Sequence, residues 1–334
     1  MKIVVLAGGL SMERDVSLAS GSLIANALRD AGHEAVLVDL YYGIEKEKMT
    51  FDDMSNRYKY KIPEIEPDLK AIIKENGGRE NPIGKNIVAF CKMADVTFLA
   101  LHGGVGENGK LQALFEMNGI RFTGSSSIGC VLSMDKIISK ELIAQAGIPT
   151  ANWLTNANSK EDLHKLVPCF VKPSDNGSSV GISKVVSHLE LEDAIQEAEK
   201  YSKRVLIEEQ VVGREFSVGI LDGKALPPIE IIASGDFYNY KVKYQAGLAH
   251  EECPAHIDSK STKKLQKYAE KAHKVLRLGS YSRIDFIMDE NGEFFFLEAN
   301  ALPGMTPTSL LPQEAAANGM SYTKLCLKLI ELAK

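Results

Sequence analysis

The sequence predicts an α/β chain with α+β character in its later part, organised as more than one domain around an N-terminal parallel sheet. Three observations predict it. Residues 3–7 are a β-branched apolar run ending in Gly8-Gly9, residues 16–29 are amphipathic, and residues 34–40 form a second apolar run. Strand, glycine turn, helix, strand is how a parallel sheet begins. Composition changes near residue 150, where a long helical pattern over residues 126–146 stops at Gly147 with Pro149 just beyond. Near the C-terminus, two alternating apolar runs flank Asn291-Gly292, a hairpin signature. At 334 residues and 45% hydrophobic content, the chain can bury more than one core, so two or three domains are expected.

The elements follow in order. Residues 95–101 read as a buried strand ending in His102-Gly103-Gly104, and residues 111–117 as a helix. The stretch 42–85 is polar and irregular, an insertion with no derivable shape. Residues 168–186 hold two β-rich runs around a glycine/serine loop, residues 190–202 a helix and residues 204–208 a strand. Beyond Arg214 come strands, a polar loop with aromatics over residues 237–244, a charged helix over 262–277, the hairpin over 281–300 and a final helix over 322–333.

The formal charge of −5, from 39 basic and 44 acidic residues, gives no positive field for nucleic acid or an anionic membrane, so an anionic ligand must be held locally. The five cysteines, Cys91, Cys130, Cys169, Cys253 and Cys326, form no CxxC pair and read as small hydrophobes in a reducing compartment. The N-terminal apolar run stops too early for a signal peptide, and residues 86–101 are broken by Lys92 and Asp95. A soluble, cytoplasmic protein is expected.

The hairpin carries the strongest chemical signal. A two-residue type I′ turn at Asn291-Gly292 makes every facing pair sum to 583, so Glu290 faces Glu293, Asp285 faces Glu298 and Arg283 faces Asn300. Period two puts these four last-named side chains on one face, with Ile284/Ala299, Phe286/Leu297 and Met288/Phe295 on the apolar other. Carboxylates facing each other at about 5 Å repel unless a cation lies between them. Magnesium takes carboxylate and amide oxygens and shares its remaining positions with phosphate and water. One acidic pair is ordinarily a solvated polar face. Arg283, Asn300 and the following Leu302-Pro303-Gly304-Met305-Thr306 shift the reading to a metal and phosphate site.

Lys172 ends a strand and precedes Pro173-Ser174-Asp175-Asn176-Gly177-Ser178-Ser179-Val180-Gly181, a small-residue loop whose backbone N–H groups can wrap phosphate oxygens. It is not a Walker loop, because no Gly-Lys-Ser/Thr opens a helix after it. Ile207-Glu208-Glu209-Gln210-Val211 offers a strand edge to a base, and Glu215 a carboxylate to ribose. Gly8-Gly9 completes no GxGxxG fingerprint.

Together, Met134-Asp135-Lys136, the Lys172–Gly181 loop, the Glu208–Val211 edge, Arg283/Asp285 and Leu297-Glu298-Ala299-Asn300 resemble the ATP-grasp superfamily. More narrowly, the chain resembles the D-alanine–D-alanine ligase family over nearly its whole length. The narrower likeness rests on Gly8-Gly9 with residues 13–18, Leu101-His102-Gly103, Phe122-Thr123-Gly124-Ser125, Lys243-Tyr244, and Pro303-Gly304-Met305-Thr306 through Ser309-Leu310.

The resemblance implies three domains: an N-terminal substrate-binding domain over 1–124, a central ATP-grasp domain over 125–208, and a C-terminal catalytic domain over 209–334 with a lid at about 234–254. It implies ATP, two magnesium ions with manganese as a substitute, and peptidoglycan precursor synthesis by a homodimer in the cytoplasm. Lys136, Lys172 and Ser179 would meet the phosphates; Glu208, Glu209, Gln210 and Val211 would border the adenine; Glu215 would hold the ribose; Lys243 would join them from the lid. Asp285, Glu298 and Asn300 would bind the metal. Glu13 would pair with the ammonium of the first D-alanine and His102 would lie beside that substrate. Ser309 and the Leu310 backbone would take the second carboxylate, Arg283 and the Gly304 N–H the oxyanion, and Ser178 and Tyr244 would link to Glu13. The Gly103–Gly109 stretch carries Asn108 where the family often has aspartate. The family also contains ligases that use D-lactate or D-serine as acceptor; those using D-lactate tend to lack the tyrosine at position 244. Another ATP-grasp carboxylate–amine ligase, of a biotin or purine pathway, would share the hairpin and Lys172 but not the set Glu13, Ser178 and Tyr244, and a nucleotide-binding regulator without activity should have lost Arg283 or a metal ligand.

Overall fold

The computed structural model describes residues 1–52, 57–63, 65–177, 180–233 and 249–334. Its described residues divide into two compact units, one of Met1–Cys130, Leu278–Ser282 and Ala301–Lys334, the other of Val131–Arg277 and Arg283–Asn300.

The first unit holds a three-stranded parallel sheet in the order β2-β1-β3, with β1 at Lys2–Ala7, β2 at Glu34–Asp39 and β3 at Val96–Leu99. β1 is central, and Ile3 to Ala7 are wholly buried, as the unbroken apolar run requires for a strand covered on both faces. The helix Arg14–Asp30 connects β1 to β2, and its Ile24, Ala25 and Leu28 pack inward. Among its described residues the insertion contains only short regular pieces, the 3₁₀ turn Lys46–Lys48 and the helix Leu69–Glu75. Its tyrosines fasten it to the first helix: Tyr58 exchanges bonds with Asn26 and accepts from Arg29 and the Leu37 N–H, while the Tyr60 hydroxyl donates to Asp15.

The second unit holds two sheets. One has four strands in the order β4-β7-β5-β6: β4 at Trp153–Thr155, β5 at Cys169–Pro173, β6 at Ser183–Val185 and β7 at Val205–Glu209. The helix Leu191–Glu199 covers it, burying Leu191, Ala194 and Ala198 against Val171, Val205 and Ile207. The other is six-stranded, β11-β10-β8-β12-β13 with β9 on β8, where β8 is Arg214–Leu221, β9 Lys224–Ala225, β10 Ile229–Ala233, β11 Ala249–Glu252, β12 Tyr281–Met288 and β13 Phe294–Asn300. The two sheets are tied through Pro149 and Thr150: the Phe296 N–H donates to Pro149 O at 2.8 Å, and the Thr150 hydroxyl donates to Phe296 O at 3.0 Å.

Two expectations are corrected. The helix expected over residues 126–146 is two helices, Ser127–Met134 and Lys136–Gln145. Asp135 has an extended ψ of 102° and caps the second helix by accepting from the Ile137 and Ile138 N–H groups, so a local side-chain cap outcompetes helix continuation.

The hairpin turn is also not a two-residue one. Glu293 O accepts from the Asp289 N–H at 3.0 Å, Asp289 Oδ1 accepts from the Glu293 N–H at 2.8 Å, and three residues lie between, with Gly292 at φ 77°. That longer loop makes the pairs nearest the turn Met288/Phe294, Ile287/Phe295 and Phe286/Phe296, so the expected Glu290/Glu293, Phe286/Leu297 and Met288/Phe295 pairs do not form. A bulge at Leu297 then absorbs the extra residue, and Asp285/Glu298, Ile284/Ala299 and Arg283/Asn300 face each other as expected. The apolar face buries Ile284, Phe286, Phe294, Phe296 and Ala299.

Candidate functional site

In the second unit the polar face of the hairpin is built around Asp285, which is 3% exposed. A carboxylate that deep must be satisfied, and it is. Arg283 reaches it with Nε at 2.9 Å and a terminal nitrogen at 2.7 Å, a two-pronged pairing across two residues of one strand. Ser217 of β8 donates its hydroxyl to Oδ1 at 2.7 Å, and Asn300 donates its amide N–H to Oδ2 at 3.0 Å. The Asn300 bond fixes which end of that amide is occupied and leaves its oxygen as a donor atom for a metal. Glu298, half-buried, stands opposite Asp285 in register. Two carboxylates and one amide oxygen on one face are a hard oxygen set, the kind magnesium prefers. Among the described residues no group of three or more His, Cys, Asp or Glu gathers to form a metal cage, so phosphate and water would have to complete the coordination.

On the four-stranded sheet a second charged cluster lies buried. Phe170 is the direct cross-strand partner of Glu208, and Lys172 is the next residue along on the same face. Glu208, 3% exposed, accepts from Lys172 on one oxygen and from Lys140 on the other. Burial raises the Glu208 carboxyl, but the two lysines outweigh it and hold the group below the usual carboxylate range. Burial lowers the Lys140 ammonium, with Glu208 opposing. Lys136 starts the helix Lys136–Gln145 beside the phosphate-type loop, where its Nζ donates to Asn176 O at 2.6 Å and its N–H to Ser174 O at 2.8 Å.

Glu209, Gln210 and Val211 line a cavity of about 880 Å³ in this unit, together with Thr150, Asn152, residues 212–214, residues 288–292 and Phe295. The Glu209 and Gln210 N–H groups already donate to Asn152 O and Pro168 O, so recognition of a base at this edge falls to carbonyls and side chains. Glu215 lies half-buried on β8, paired with Ile231.

In the first unit, Glu13 is 9% exposed and precedes the first helix without capping it through its side chain. It lies against the His102-Gly103 turn: a Cβ on Gly103 would stand 3.4 Å from Glu13 Oε2. His102 is buried, its Nδ1 3.8 Å from Glu107 Oε1, and its Nε2 has no hydrogen-bond partner among the described residues. Burial would lower this imidazole, yet Glu107, Glu13 and a contact with the Leu302 backbone outweigh it and raise the group above the ordinary histidine range. Ser309 precedes the helix Leu310–Ala317, and its hydroxyl accepts from the Thr306 N–H at 3.1 Å and shares a bond with the Thr306 hydroxyl at 2.7 Å. Gly304 fits tightly beside it, since a Cβ there would lie 2.7 Å from Ser309 Oγ.

The structure therefore brings Arg283, Asp285, Glu298 and Asn300 together, Lys172 with Glu208, Lys136 with the loop after β5, and Glu13 with His102. Ser178, Ser179, Lys243, Tyr244 and most of the expected lid, residues 234–248, lie outside the described residues. Lys140, Ser217 and Glu107 were not singled out from sequence. Lys140 carried a signal, because it lies four residues after Lys136 and so on the same helix face. Ser217 carried none, being an ordinary strand serine until β8 is placed beside β12.

No helix among the described residues is long and apolar enough to cross a membrane. Family profiles described as D-ala D-ala ligase N-terminus and D-ala D-ala ligase C-terminus match residues 2–125 and 142–331. The chain is 39% identical over 343 residues to the D-alanine–D-alanine ligase of Pediococcus pentosaceus, covering 99% of this chain and 97% of that protein. It is 38% identical over 328 residues to the D-alanine–D-alanine ligase of Aquifex aeolicus, covering 97% and 98%. Among solved structures it is similar to the Bacillus anthracis D-alanine–D-alanine ligase complexed with ATP, with a TM-score of 0.77, 30% identity and 99% and 96% coverage. It is also similar to the VanG D-Ala:D-Ser ligase of Enterococcus faecalis, with a TM-score of 0.78, 29% identity and 99% and 98% coverage.

Proposed function

The chain belongs to the D-alanine–D-alanine ligase family of ATP-grasp enzymes, and from that membership we propose how its residues divide the work. The enzyme joins two D-alanine molecules at the expense of ATP, for peptidoglycan precursor synthesis. The observation that carries the site reading is the in-register face of Arg283, Asp285, Glu298 and Asn300, with Asp285 buried and fully bonded.

Asp285, Glu298 and Asn300 would hold magnesium, two ions by family expectation, with manganese able to replace it. Bound there, the metal would neutralise charge on the nucleotide phosphates. Lys136, Lys172, Ser179 and Lys243 would contact those phosphates; residues 208–211 would border the adenine, and Glu215 the ribose. The bonds from Lys136 to Ser174 O and Asn176 O, in the loop that follows Lys172, support the phosphate assignment.

The carboxylate of the first D-alanine attacks the γ-phosphorus; a phosphorus–oxygen bond forms, the β–γ bridge breaks and ADP leaves. Glu13 would hold that substrate's ammonium. His102 lies buried beside Glu13, and the raised pKa of its ring, held up by Glu107, Glu13 and the Leu302 backbone, keeps a proton available to donate to a substrate oxygen. The amine of the second D-alanine then attacks the acyl carbonyl, and the tetrahedral oxyanion collapses with loss of phosphate. Arg283 and the Gly304 N–H would steady the oxyanion. Ser309 and the Leu310 N–H would take the second carboxylate, supported by their position at a helix N-terminus. Ser178, Tyr244 and the lid at about 234–254 would close the site and exclude water, which would otherwise hydrolyse the acyl phosphate.

Three domains, 1–124, 125–208 and 209–334, are the division we assign on the three separate sheets, with residues 301–334 of the last clustering in the first compact unit. A homodimer in the cytoplasm is the assembly and location we assign. The test is product analysis: purified chain with ATP, magnesium and a panel of D- and L-amino acids releases phosphate and D-alanyl-D-alanine. Faster turnover with D-lactate, D-serine or an L-amino acid overturns the substrate assignment.

A further inference from the structure

Lys140 is 1% exposed, and its Nζ is fixed on three sides: it donates to Glu208 Oε1 and to Thr150 Oγ1 at 2.6 Å, and it lies 5.1 Å from the Trp153 ring centre. Thr150 in turn donates to Phe296 O, so this ammonium is braced by both sheets of the second unit. Lys172, on the other oxygen of Glu208, is less enclosed, with 10% of its side chain exposed against 1% for Lys140. Two lysines and one glutamate leave this buried cluster with a net charge of +1. A lone Lys172–Glu208 pair would be neutral, and drawing Lys172 onto a ligand would strand a buried carboxylate, which is costly.

We propose that Lys140 is a positioning residue, the resident counter-ion of Glu208, which keeps that carboxylate paired while Lys172 transfers its ammonium to the nucleotide phosphates. The surplus positive charge is what the phosphate neutralises. This rests on the reading that Lys172 meets phosphate, and the two can fail separately.

The experiment measures dissociation constants of ATP and of adenosine by calorimetry on the full chain and takes their ratio as phosphate discrimination. Lys140→Met lowers that ratio about tenfold, because Lys172 is now held in a neutral pair, whereas Lys140→Arg stays within about threefold of the parent. In Lys140→Met/Glu208→Gln the charge on Lys172 is again unopposed, and the ratio returns to within about threefold of the parent, although both ligands bind more weakly. A packing role predicts no such recovery. If Lys140→Met does not fold, the double variant, which leaves no buried carboxylate and keeps only the less enclosed Lys172 charged, decides: a parental ratio supports the proposal and a collapsed one overturns it. Lys172→Met separates the two readings. If it leaves the ratio unchanged, Lys172 does not meet phosphate and the proposal falls with that reading. If it lowers the ratio while Lys140→Met does not, only the role of Lys140 is overturned.

Discussion

Asp285 and Glu298 stand directly opposite each other even though every pair between them and the turn is offset by one residue. The offset begins in the Asp289–Glu293 loop and ends at Leu297, so the bulge restores the facing of the two acids. Repulsion between them is relieved on the Asp285 side by Arg283, Ser217 and Asn300. Asp285→Asn keeps the shape and, through its remaining oxygen, the bonds from the Ser217 hydroxyl and Arg283 Nε, but it loses the acceptor for the terminal Arg283 nitrogen and Asn300 and removes the charge. Phosphate release should fall by about 10³-fold or more with an unchanged circular dichroism spectrum, in line with loss of charge stabilisation at a phosphoryl-transfer centre.

Gly292 at φ 77° has open space around it, so Gly292→Ala isolates the backbone cost of the left-handed conformation. Denaturant unfolding should show a loss of about 1 kcal/mol with turnover unchanged. A loss of turnover of equal weight would mean that the turn geometry reaches the polar face through the bulge.

Gly304→Ala would force a Cβ to within 2.7 Å of Ser309 Oγ, a contact that must displace one of them. Steady-state kinetics should place the damage on the second D-alanine: its KM should rise by about tenfold or more, because a displacement near 1 Å spoils positioning. The KM for ATP should stay near the parental value.

His102 has a raised pKa in the folded protein, so its interaction with Glu107 and Glu13 contributes stability that is complete below the unfolded value of about 6.5 and is lost as pH rises through the folded value. Urea unfolding of parent and His102→Phe from about pH 6 to 9 should show the difference between them shifting against the parent as pH rises. A pH-independent difference would mean that the ring packs there without its charge.

The parallel sheet was legible because an uninterrupted apolar run, glycine turn and amphipathic stretch admit few other arrangements, and Ile3 to Ala7 are buried accordingly. The facing of Asp285 and Glu298 was also legible, yet through two cancelling departures: neither the three-residue loop nor the Leu297 bulge was anticipated, and each alone would have broken the register. Turn type depends on Asp289 bonding to the Glu293 N–H, a competition that Asn-Gly alone does not reveal. The break at Asp135 was hidden because apolar spacing continues across it. Lys140 was legible only in part: its spacing from Lys136 puts both on one helix face, but that it faces inward shows only once Glu208 is placed on another element.

The tyrosines that fasten the 42–85 insertion to the first helix give that segment a job its composition conceals. Tyr60 grips Asp15, two residues past Glu13, and Tyr58 holds the far end of the same helix at Asn26 and Arg29. Anyone trimming the enzyme to a minimal scaffold would take this stretch as the first expendable piece. Removing it would unlatch the rod that begins just after Glu13, and under the role proposed for that acid, affinity for the first amino acid would erode before the remaining scaffold lost its integrity.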